Sequence, residues 1–196
     1  RNEMQDYYLR LGNKEASELE ENMLSYLSEN MDIETIGSKI ENTRIFLSTV
    51  FSALTTPEIF SLKKFNIAII DEASQILFPH LISILAEVDK FILIGDEKQL
   101  PAVVQQPEES RKINDPDLLS LGFNDLGISY FELLINNLQQ RKQTDCIALL
   151  DEQSRMHPAI LEPVNLLFYD NLIKTFKQRE PNKIAVEIIQ EFLDHI

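Results

Sequence analysis

Residues 66–75 read NIAIIDEASQ, in which a near-continuous apolar run passes directly into two adjacent carboxylates, Asp71 and Glu72. An apolar run without polar alternation is typical of a parallel strand that is covered on both faces. In open α/β sheets, ligands bind beyond the carboxyl ends of the strands. The stretch therefore predicts a buried strand that delivers two acidic side chains to a binding site.

Three further short apolar runs, at residues 44–49, 90–94 and 146–150, predict more strands of the same kind. Between the runs, apolar residues recur at helical spacing, at Leu81, Ile84, Leu85 and Val88, at Phe131, Leu134, Ile135 and Leu138, and at Leu161, Val164, Leu167 and Phe168. Strands that alternate with helices indicate an α/β fold, a parallel sheet layered with helices. Residues 101–125, with three prolines, predict a long loop.

The first forty residues have a different character, because they are acidic and their apolar residues follow a helical period. The stripes are Met4, Tyr7, Tyr8 and Leu11, then Leu19, Met23 and Leu27 after a break at Gly12. This spacing predicts helices with narrow apolar faces over residues 1–42.

Composition limits the class of protein. The 196 residues are 44% hydrophobic and carry a net charge of −14, which argues against a free-standing basic clamp on nucleic acid. The single cysteine, Cys146, cannot form an intramolecular disulfide and predicts a buried free thiol in a reducing, intracellular compartment, cytoplasmic or nuclear. No run approaches the roughly 20 apolar residues of a membrane span, so no membrane partner is expected.

Polar clusters follow two of the predicted strands. A carboxylate such as Asp71 can hold Mg²⁺, which usually keeps several waters and binds one or two protein carboxylates plus phosphate oxygens. Its neighbour Glu72 can take a proton from an attacking water. The next strand ends at GDEKQLP (95–101), where Gln99 can hydrogen-bond a phosphate without adding repulsion. The alternative for this second cluster is an ordinary polar turn capped by Asp96.

A third cluster, EQSRMHP (152–158), follows the fourth apolar run and opens a helix. Arginine recognises phosphate through two parallel hydrogen bonds and can stabilise the charge that develops during phosphoryl transfer. Arg155 therefore has two interpretations from the residues alone, a phosphate-binding arginine or a partner in a surface ion pair.

Taken in order, DEASQ (71–75), GDEKQLP (95–101) and RMHP (155–158) resemble three motifs of the superfamily 1 helicases. The resemblance is strongest to the 5′-to-3′ group that contains the nonsense-mediated-decay helicase and senataxin. Two further segments, Ser129-x-Phe-Glu-x-Leu134 and Asn165-x-x-Phe-Tyr169-x-x-Leu172, are similar to segments of that group. The resemblance implies a RecA-like fold that binds ATP and Mg²⁺ and moves along single-stranded DNA or RNA.

The same resemblance implies roles for individual residues. Asp71 would bind Mg²⁺, Glu72 would activate the attacking water and Gln99 would sense the γ-phosphate. Arg155 would be an arginine finger from the second RecA-like lobe.

Supporting roles are implied for five more positions. Gln75 would couple the nucleotide state to strand movement, and Gly95 and Asp96 would shape the sensor loop. Ser48 and Thr49, at the end of a predicted strand, would contact the phosphate backbone of the nucleic acid.

No G-x-x-x-x-G-K-[ST] run occurs in the chain, so the phosphate-binding loop expected of this family is missing. The resemblance therefore predicts the central segment of a helicase, inactive by itself. Its parts would be a helical stalk at 1–42, the C-terminal part of the first RecA-like lobe at 43–150 and the start of the second at 151–196. A non-catalytic RecA-like interaction or regulatory module is the alternative.

Overall fold

The computed structural model describes residues 8–12, 20–100 and 102–176. The chain forms two compact units, Arg1–Gln140 and Arg141–Ile196. Four residues named above, Met4, Tyr7, Leu19 and Pro101, lie outside the described residues.

The described part of the first unit contains both helices and strands. Its strands are β1 (Tyr8–Arg10), β2 (Ile45–Leu47), β3 (Phe65–Ile70) and β4 (Val88–Leu93). Its α-helices are α1 (Leu24–Asn30), α2 (Ile33–Asn42), α3 (Val50–Thr55), α4 (Glu58–Leu62), α5 (Phe78–Leu85), α6 (Glu108–Arg111), α7 (Pro116–Ser120) and α8 (Tyr130–Gln140). The second unit contains strands β5 (Glu152–Gln153) and β6 (Lys174–Thr175) and helix α9 (Pro158–Phe168).

Strands β3 and β4 form the parallel pair that carries the two polar clusters. They pair in register from Phe65 opposite Val88 to Ile70 opposite Leu93. Both strands were predicted from their apolar runs, and the α/β fold is confirmed. Because the strands are parallel and end level with each other, the loops that follow them leave the same edge of the sheet.

One face of this pair is covered and the other is open in the described part of the chain. Ile70 packs with Leu81 and Phe131 in a core that α3, α5 and α8 complete. On the other face, Ile69 and Ile92 remain 65% and 47% exposed. The prediction of strands covered on both faces is therefore wrong at Ile69 and Ile92 among the described residues, although Phe65 at the start of β3 packs against Phe60 of α4.

The prediction of an all-helical segment at 1–42 is also wrong in part. Helices α1 and α2 form as expected, but Tyr8–Arg10 is a strand that pairs in parallel with Ile45–Leu47. Pairing buries Leu9 to 2% exposure in a second core with Leu27 and Ile59. A short segment with one buried side chain is compatible with the period of a helix and with that of a strand. Because a partner strand is available, the segment forms β structure.

The predicted helical stripes are mostly confirmed. Leu81, Ile84 and Leu85 are buried on α5, whereas Val88 begins β4. At the start of α8, the hydroxyl of Ser129 accepts a hydrogen bond from the backbone N–H of Glu132 at 3.5 Å, in the geometry of half a capping box.

The segment predicted as a loop at 101–125 contains α6 and α7 and folds back on itself. Arg111 forms an ion pair with Asp125 at 3.5 Å. Backbone hydrogen bonds from Ile113 to Asn124 and from Leu126 to Arg111, of 3.0 and 2.9 Å, close its base. Pro116 begins α7, because proline fits the first turn of a helix, and Pro107 lies directly before α6.

The fourth predicted strand, Cys146–Leu150, is wrong. Thr144–Cys146 is a 3₁₀ turn, and residues 147–150 have no regular structure; Leu149 and Leu150 are 59% and 79% exposed. The thiol of Cys146 is exposed, which corrects the prediction that it is buried. The strand of this region is β5, which pairs in parallel with β6. Helix α9 buries Leu161 but leaves Leu167 and Phe168 of its predicted stripe exposed.

No helix among the described residues is both long and apolar enough to cross a membrane.

Candidate active site

The loop that follows β3 carries three of the predicted site residues. Asp71 and Glu72 are exposed, and the Asp71 carboxylate accepts a hydrogen bond from the backbone N–H of Glu72 at 3.0 Å. Gln75 ends the 3₁₀ turn Ala73–Gln75, and its amide donates to the Glu72 carboxylate at 3.3 Å. The structure therefore brings Asp71, Glu72 and Gln75 into one hydrogen-bonded turn at the end of the strand.

Glu72 adopts a left-handed backbone conformation, with φ 54° and ψ 36°. This region is unfavourable for residues other than glycine, asparagine and aspartate. The bend begins the 3₁₀ turn directly after the strand. Backbone strain of this kind is found at sites where a side chain must be held in one direction.

The loop that follows β4 holds Asp96 and Gln99. The two oxygens of the half-buried Asp96 carboxylate accept hydrogen bonds from the backbone N–H of Lys98 and the side-chain amide of Gln99, each at 2.9 Å. Asp96 therefore organises this loop and orients Gln99. The Gln99 side chain is exposed, and its contact with Asp96 uses one of its two amide N–H groups, so the other N–H and the carbonyl oxygen can bind another partner.

Hydrogen bonds join the loop that follows β3 to the loop that follows β4. The N–H of Ala73 donates to the carbonyl of Ile94 at 2.8 Å, and the N–H of Asp96 donates to the hydroxyl of Ser74 at 3.3 Å. Gly95 lies so close that a Cβ there would come within 3.0 Å of the Ser74 nitrogen and 3.3 Å of the Phe131 ring. Glycine fits at position 95 because the two loops approach each other so closely there that a Cβ would be crowded.

Ser74 is a residue that the sequence analysis did not assign. It is 4% exposed although Glu72 and Gln75 in the same loop are exposed, and its hydroxyl accepts one of the hydrogen bonds that join the two loops. A small polar residue between Glu72 and Gln75 was the available signal. Its significance depends on contact with a residue 22 positions away.

Among the described residues, no three His, Cys, Asp or Glu side chains cluster closely enough to hold a metal ion by themselves, so this edge could give Mg²⁺ only the one or two carboxylates that it takes together with phosphate oxygens. Asp71, Glu72, Asp96 and Glu97 place four carboxylates on the two loops, with Lys98 as a cation among them. A polyphosphate would be repelled by such a site unless a divalent cation lay between them. The exposed Asp71 carboxylate accepts one backbone hydrogen bond and has oxygen lone pairs left for a hard cation that keeps most of its waters.

Ser48 and Thr49 lie between β2 and α3, and both are exposed. The Thr49 hydroxyl accepts from the backbone N–H of Ser52 at 3.1 Å and caps α3, while the Ser48 hydroxyl donates to the carbonyl of Thr49 at 2.8 Å. The predicted contact of these residues with a nucleic-acid backbone stays a prediction. In this conformation their hydroxyl groups stabilise the turn into α3.

Arg155 belongs to the second unit and is not among the residues that the two loops bring together. It is exposed in a bend that Gln153 holds on both sides. The Gln153 amide accepts from the Met156 N–H at 2.6 Å and donates to the Met156 carbonyl at 3.0 Å. The ring of His157 accepts from Ala159 at 3.2 Å and caps α9. The surface ion pair considered for Arg155 is not among the ion pairs of the described residues.

Asn165 fixes the loop that returns from α9 to β6. Its side chain donates to the carbonyl of Ile173 at 2.8 Å and accepts from the N–H of the same residue at 3.0 Å. Beside this loop, a hydrogen bond from Lys174 and then its charge hold the pKa of Asp151 below the ordinary value. These contacts give the second unit a local framework for the Arg155 bend.

Comparison with protein families identifies the region that contains both loops. A family profile described as an AAA domain matches residues 5–107, which is just over half of the chain. The match includes β3, β4 and the polar residues at their carboxyl ends.

Comparison with individual proteins finds relatives that are named as helicases. The chain is 31% identical over 163 residues to the DNA replication ATP-dependent helicase/nuclease JHS1 of Arabidopsis thaliana, covering 83% of the chain and 11% of that protein. It is 30% identical over 156 residues to the human helicase/nuclease DNA2, covering 80% of the chain and 13% of that protein. An uncharacterized ATP-dependent helicase of Methanocaldococcus jannaschii is 29% identical over 164 residues, which are 82% of the chain and 21% of that protein. The chain thus spans between a tenth and about a fifth of the length of these relatives.

Proposed function

Because the chain belongs to the AAA-domain family of superfamily 1 helicases, we propose that its two strand-end loops form half of an ATP-hydrolysing site that drives movement along single-stranded DNA or RNA. The observation that supports this most directly is the hydrogen-bonded junction of the loops that carry Glu72 and Gln99. Membership of the family supports ATP hydrolysis as the reaction, and the junction supports the proposal that Glu72 and Gln99 act on the same nucleotide.

Each proposed catalytic group has a defined task. The Glu72 carboxylate accepts the proton of the water that attacks the γ-phosphate, and its strained backbone fixes the direction of that carboxylate. The Gln99 amide, oriented by Asp96, hydrogen-bonds the phosphate that is being released. Arg155 supplies positive charge to the phosphoryl group during transfer.

Asp71 is the residue that would hold the metal ion in this proposal. Bound Mg²⁺ would neutralise charge on the phosphate oxygens and orient them for in-line attack. Asp71 is suited to the task because it is exposed at the strand end and its turn is fixed by the Glu72 backbone. Gln75, which donates to Glu72, would transmit changes at the phosphate to the rest of the first unit.

Single-stranded DNA is the favoured polymer in this proposal, because the plant and vertebrate relatives are named DNA replication helicase/nucleases. The nuclease part of those names is not extended to this chain, because the chain covers only 11% and 13% of those proteins. We also propose that residues 1–42, 43–150 and 151–196 correspond to a stalk, part of a first RecA-like lobe and the start of a second.

The proposal is tested by measuring ATP hydrolysis by the complete gene product with and without single-stranded DNA. The Glu72→Gln substitution keeps the size of the side chain but removes the base, and we expect it to lower kcat by about 100-fold to 10,000-fold. The 196-residue chain alone is expected to show negligible turnover, because it contains no G-x-x-x-x-G-K-[ST] run.

The matched control is Glu97→Gln, which removes one negative charge from the neighbouring loop without touching the proposed base. It should leave kcat within about threefold of the unchanged protein, a range set by a weak, solvent-exposed charge interaction. If Glu72→Gln hydrolyses ATP as fast as Glu97→Gln, Glu72 is not the base and the catalytic proposal fails. If the unchanged complete protein hydrolyses no ATP, the alternative of a non-catalytic interaction module is favoured. Stimulation by RNA but not DNA would reject the choice of polymer alone.

A further inference from the structure

The Ser74 hydroxyl makes a hydrogen bond between the loop that follows β3 and the loop that follows β4, and the chemistry proposed for these loops does not use it. Ser74 is 4% exposed, and its nitrogen and hydroxyl lie 3.0 and 3.3 Å from where a Cβ at position 95 would be. Buried hydroxyl groups are costly unless they are hydrogen-bonded. The Ser74 hydroxyl has such a bond, from the backbone N–H of Asp96 at 3.3 Å.

The bond connects one loop to the other through a short, stiff path. On one side, Ser74 is inside the 3₁₀ turn whose first residue, Ala73, is fully buried and bonded to Ile94. On the other side, Asp96 holds the Gln99 amide at 2.9 Å. Ser74 and Asp96 therefore form the side-chain link from the Glu72 turn to the Gln99 amide, beside the backbone hydrogen bond from Ala73 to Ile94.

The surroundings of Ser74 leave little room for the loops to slide. A Cβ at position 95 would meet the Ser74 nitrogen at 3.0 Å and its hydroxyl at 3.3 Å, and would also meet the Phe131 ring of α8. Phe131 itself is 9% exposed in the core below the sheet. The contact is thus supported from behind by a packed aromatic side chain.

We propose that Ser74 is a positioning residue, which fixes the spacing between the Glu72 turn and the Gln99 loop so that the base and the phosphate sensor act on one γ-phosphate at the same time. This inference rests on the proposed function. It adds that the two groups are coupled through the Ser74 hydroxyl. Loss of the hydroxyl loosens the spacing between the loops, which the backbone bond from Ala73 to Ile94 still joins, and removes no group that touches the nucleotide.

The test uses steady-state ATP hydrolysis by the complete gene product in saturating single-stranded DNA. Ser74→Ala removes one hydrogen bond, worth about 1 kcal/mol in general, and we expect kcat to fall by about three- to tenfold. The KM for ATP should change by less than about twofold, since an interaction that matters only in the transition state lowers kcat without weakening ground-state binding.

Two companion variants separate the hydrogen bond from packing. Ser74→Cys retains a side chain of similar shape with a weak acceptor, so it should lower kcat nearly as far as Ser74→Ala. Ser83→Ala is the matched control, because the exposed Ser83 hydroxyl bonds only its own helix, at the carbonyl of Pro79. It should leave kcat unchanged.

A double-mutant cycle with Gln99→Ala tests the coupling itself. If Ser74 acts through the Gln99 loop, Ser74→Ala should slow the Gln99→Ala enzyme by less than about twofold, because residues in one network are not additive. Full additivity, or a Ser74→Ala loss that appears in KM or only in thermal stability, overturns the inference. Should Glu72→Gln leave hydrolysis intact, the proposed function fails instead, so the two failures are distinguishable.

Discussion

The left-handed conformation of Glu72 predicts that the site gains stability when this residue is replaced by one that tolerates the backbone. Glu72 has φ 54° and ψ 36°, and an L-residue in this region bears a penalty of about 1–2 kcal/mol. Asparagine occupies the region far more readily. We therefore expect Glu72→Asn to be more stable than the unchanged chain and to be catalytically inactive.

The size of the gain follows from the contacts that the substitution removes. The bond from Gln75 to the Glu72 carboxylate is 3.3 Å long and exposed, so its loss costs no more than about 0.5 kcal/mol. A net gain of about 1 kcal/mol remains, which corresponds to roughly 2–4 °C in the midpoint of thermal unfolding for a domain of this size. Glu72→Gly should give a smaller gain in stability, because glycine raises the conformational entropy of the unfolded chain, which costs about 0.5–1 kcal/mol of folding free energy.

The assay is thermal unfolding followed by circular dichroism, with two controls. Glu72→Gln removes the charge beside Asp71 but keeps the unfavourable backbone, so the difference between Glu72→Asn and Glu72→Gln isolates the strain. Lys142→Asn replaces another left-handed residue, with φ 56°, outside the proposed catalytic site. A stabilised Lys142→Asn beside an unstabilised Glu72→Asn would show that the turn at Glu72 bears no net strain, and would refute the reasoning.

Two further predictions concern the second unit. Gln153→Ala removes the side-chain hydrogen bonds to both backbone groups of Met156, so the Arg155 bend should loosen and the kcat for ATP hydrolysis should fall by about three- to tenfold. The control is Gln143→Ala, and equal kcat values for the two variants would exclude a role for Gln153 in orienting Arg155. Lys174 holds the pKa of Asp151 below its ordinary value of 3.8, first by a hydrogen bond and then by its charge, so this pair stabilises the fold above pH 3.8 and the contribution is lost as the pH falls through the lowered value. Acid unfolding should therefore depend less steeply on pH in Asp151→Asn, and an unchanged pH profile would show that the pair contributes nothing to stability.

The sequence was sufficient to locate the two strands that carry the proposed site and the residues that follow them. The near-continuous apolar runs at 66–70 and 90–94 favour buried strands, and each run ends where polar residues begin. The ordered motifs then indicated the helicase family, which the comparisons confirm. The carboxylates of Asp71 and Glu72 follow directly from their positions at the end of β3.

Local patterns were insufficient where a short segment could adopt either period. Tyr8–Arg10 has helical spacing, but the neighbouring strand Ile45–Leu47 offers backbone hydrogen bonds and a core for Leu9. Residues 146–150 have the composition of a strand, yet the strand that pairs with β6 lies further on, at Glu152–Gln153. In both cases the paired strand determines which residues form β structure. That strand is distant in sequence, so the local pattern gives no sign of it.

The amino-acid sequence by itself determined which chemical groups are available at the ends of β3 and β4. Tertiary structure alone decided how those groups are connected. The burial of Ser74, the need for glycine at 95 and the bond between the Glu72 and Gln99 loops all arise because two parallel strands end level with each other. Sequence periodicity reports how each segment meets its own surroundings, whereas the spacing between two loops depends on the packing of the strands and helices that carry them.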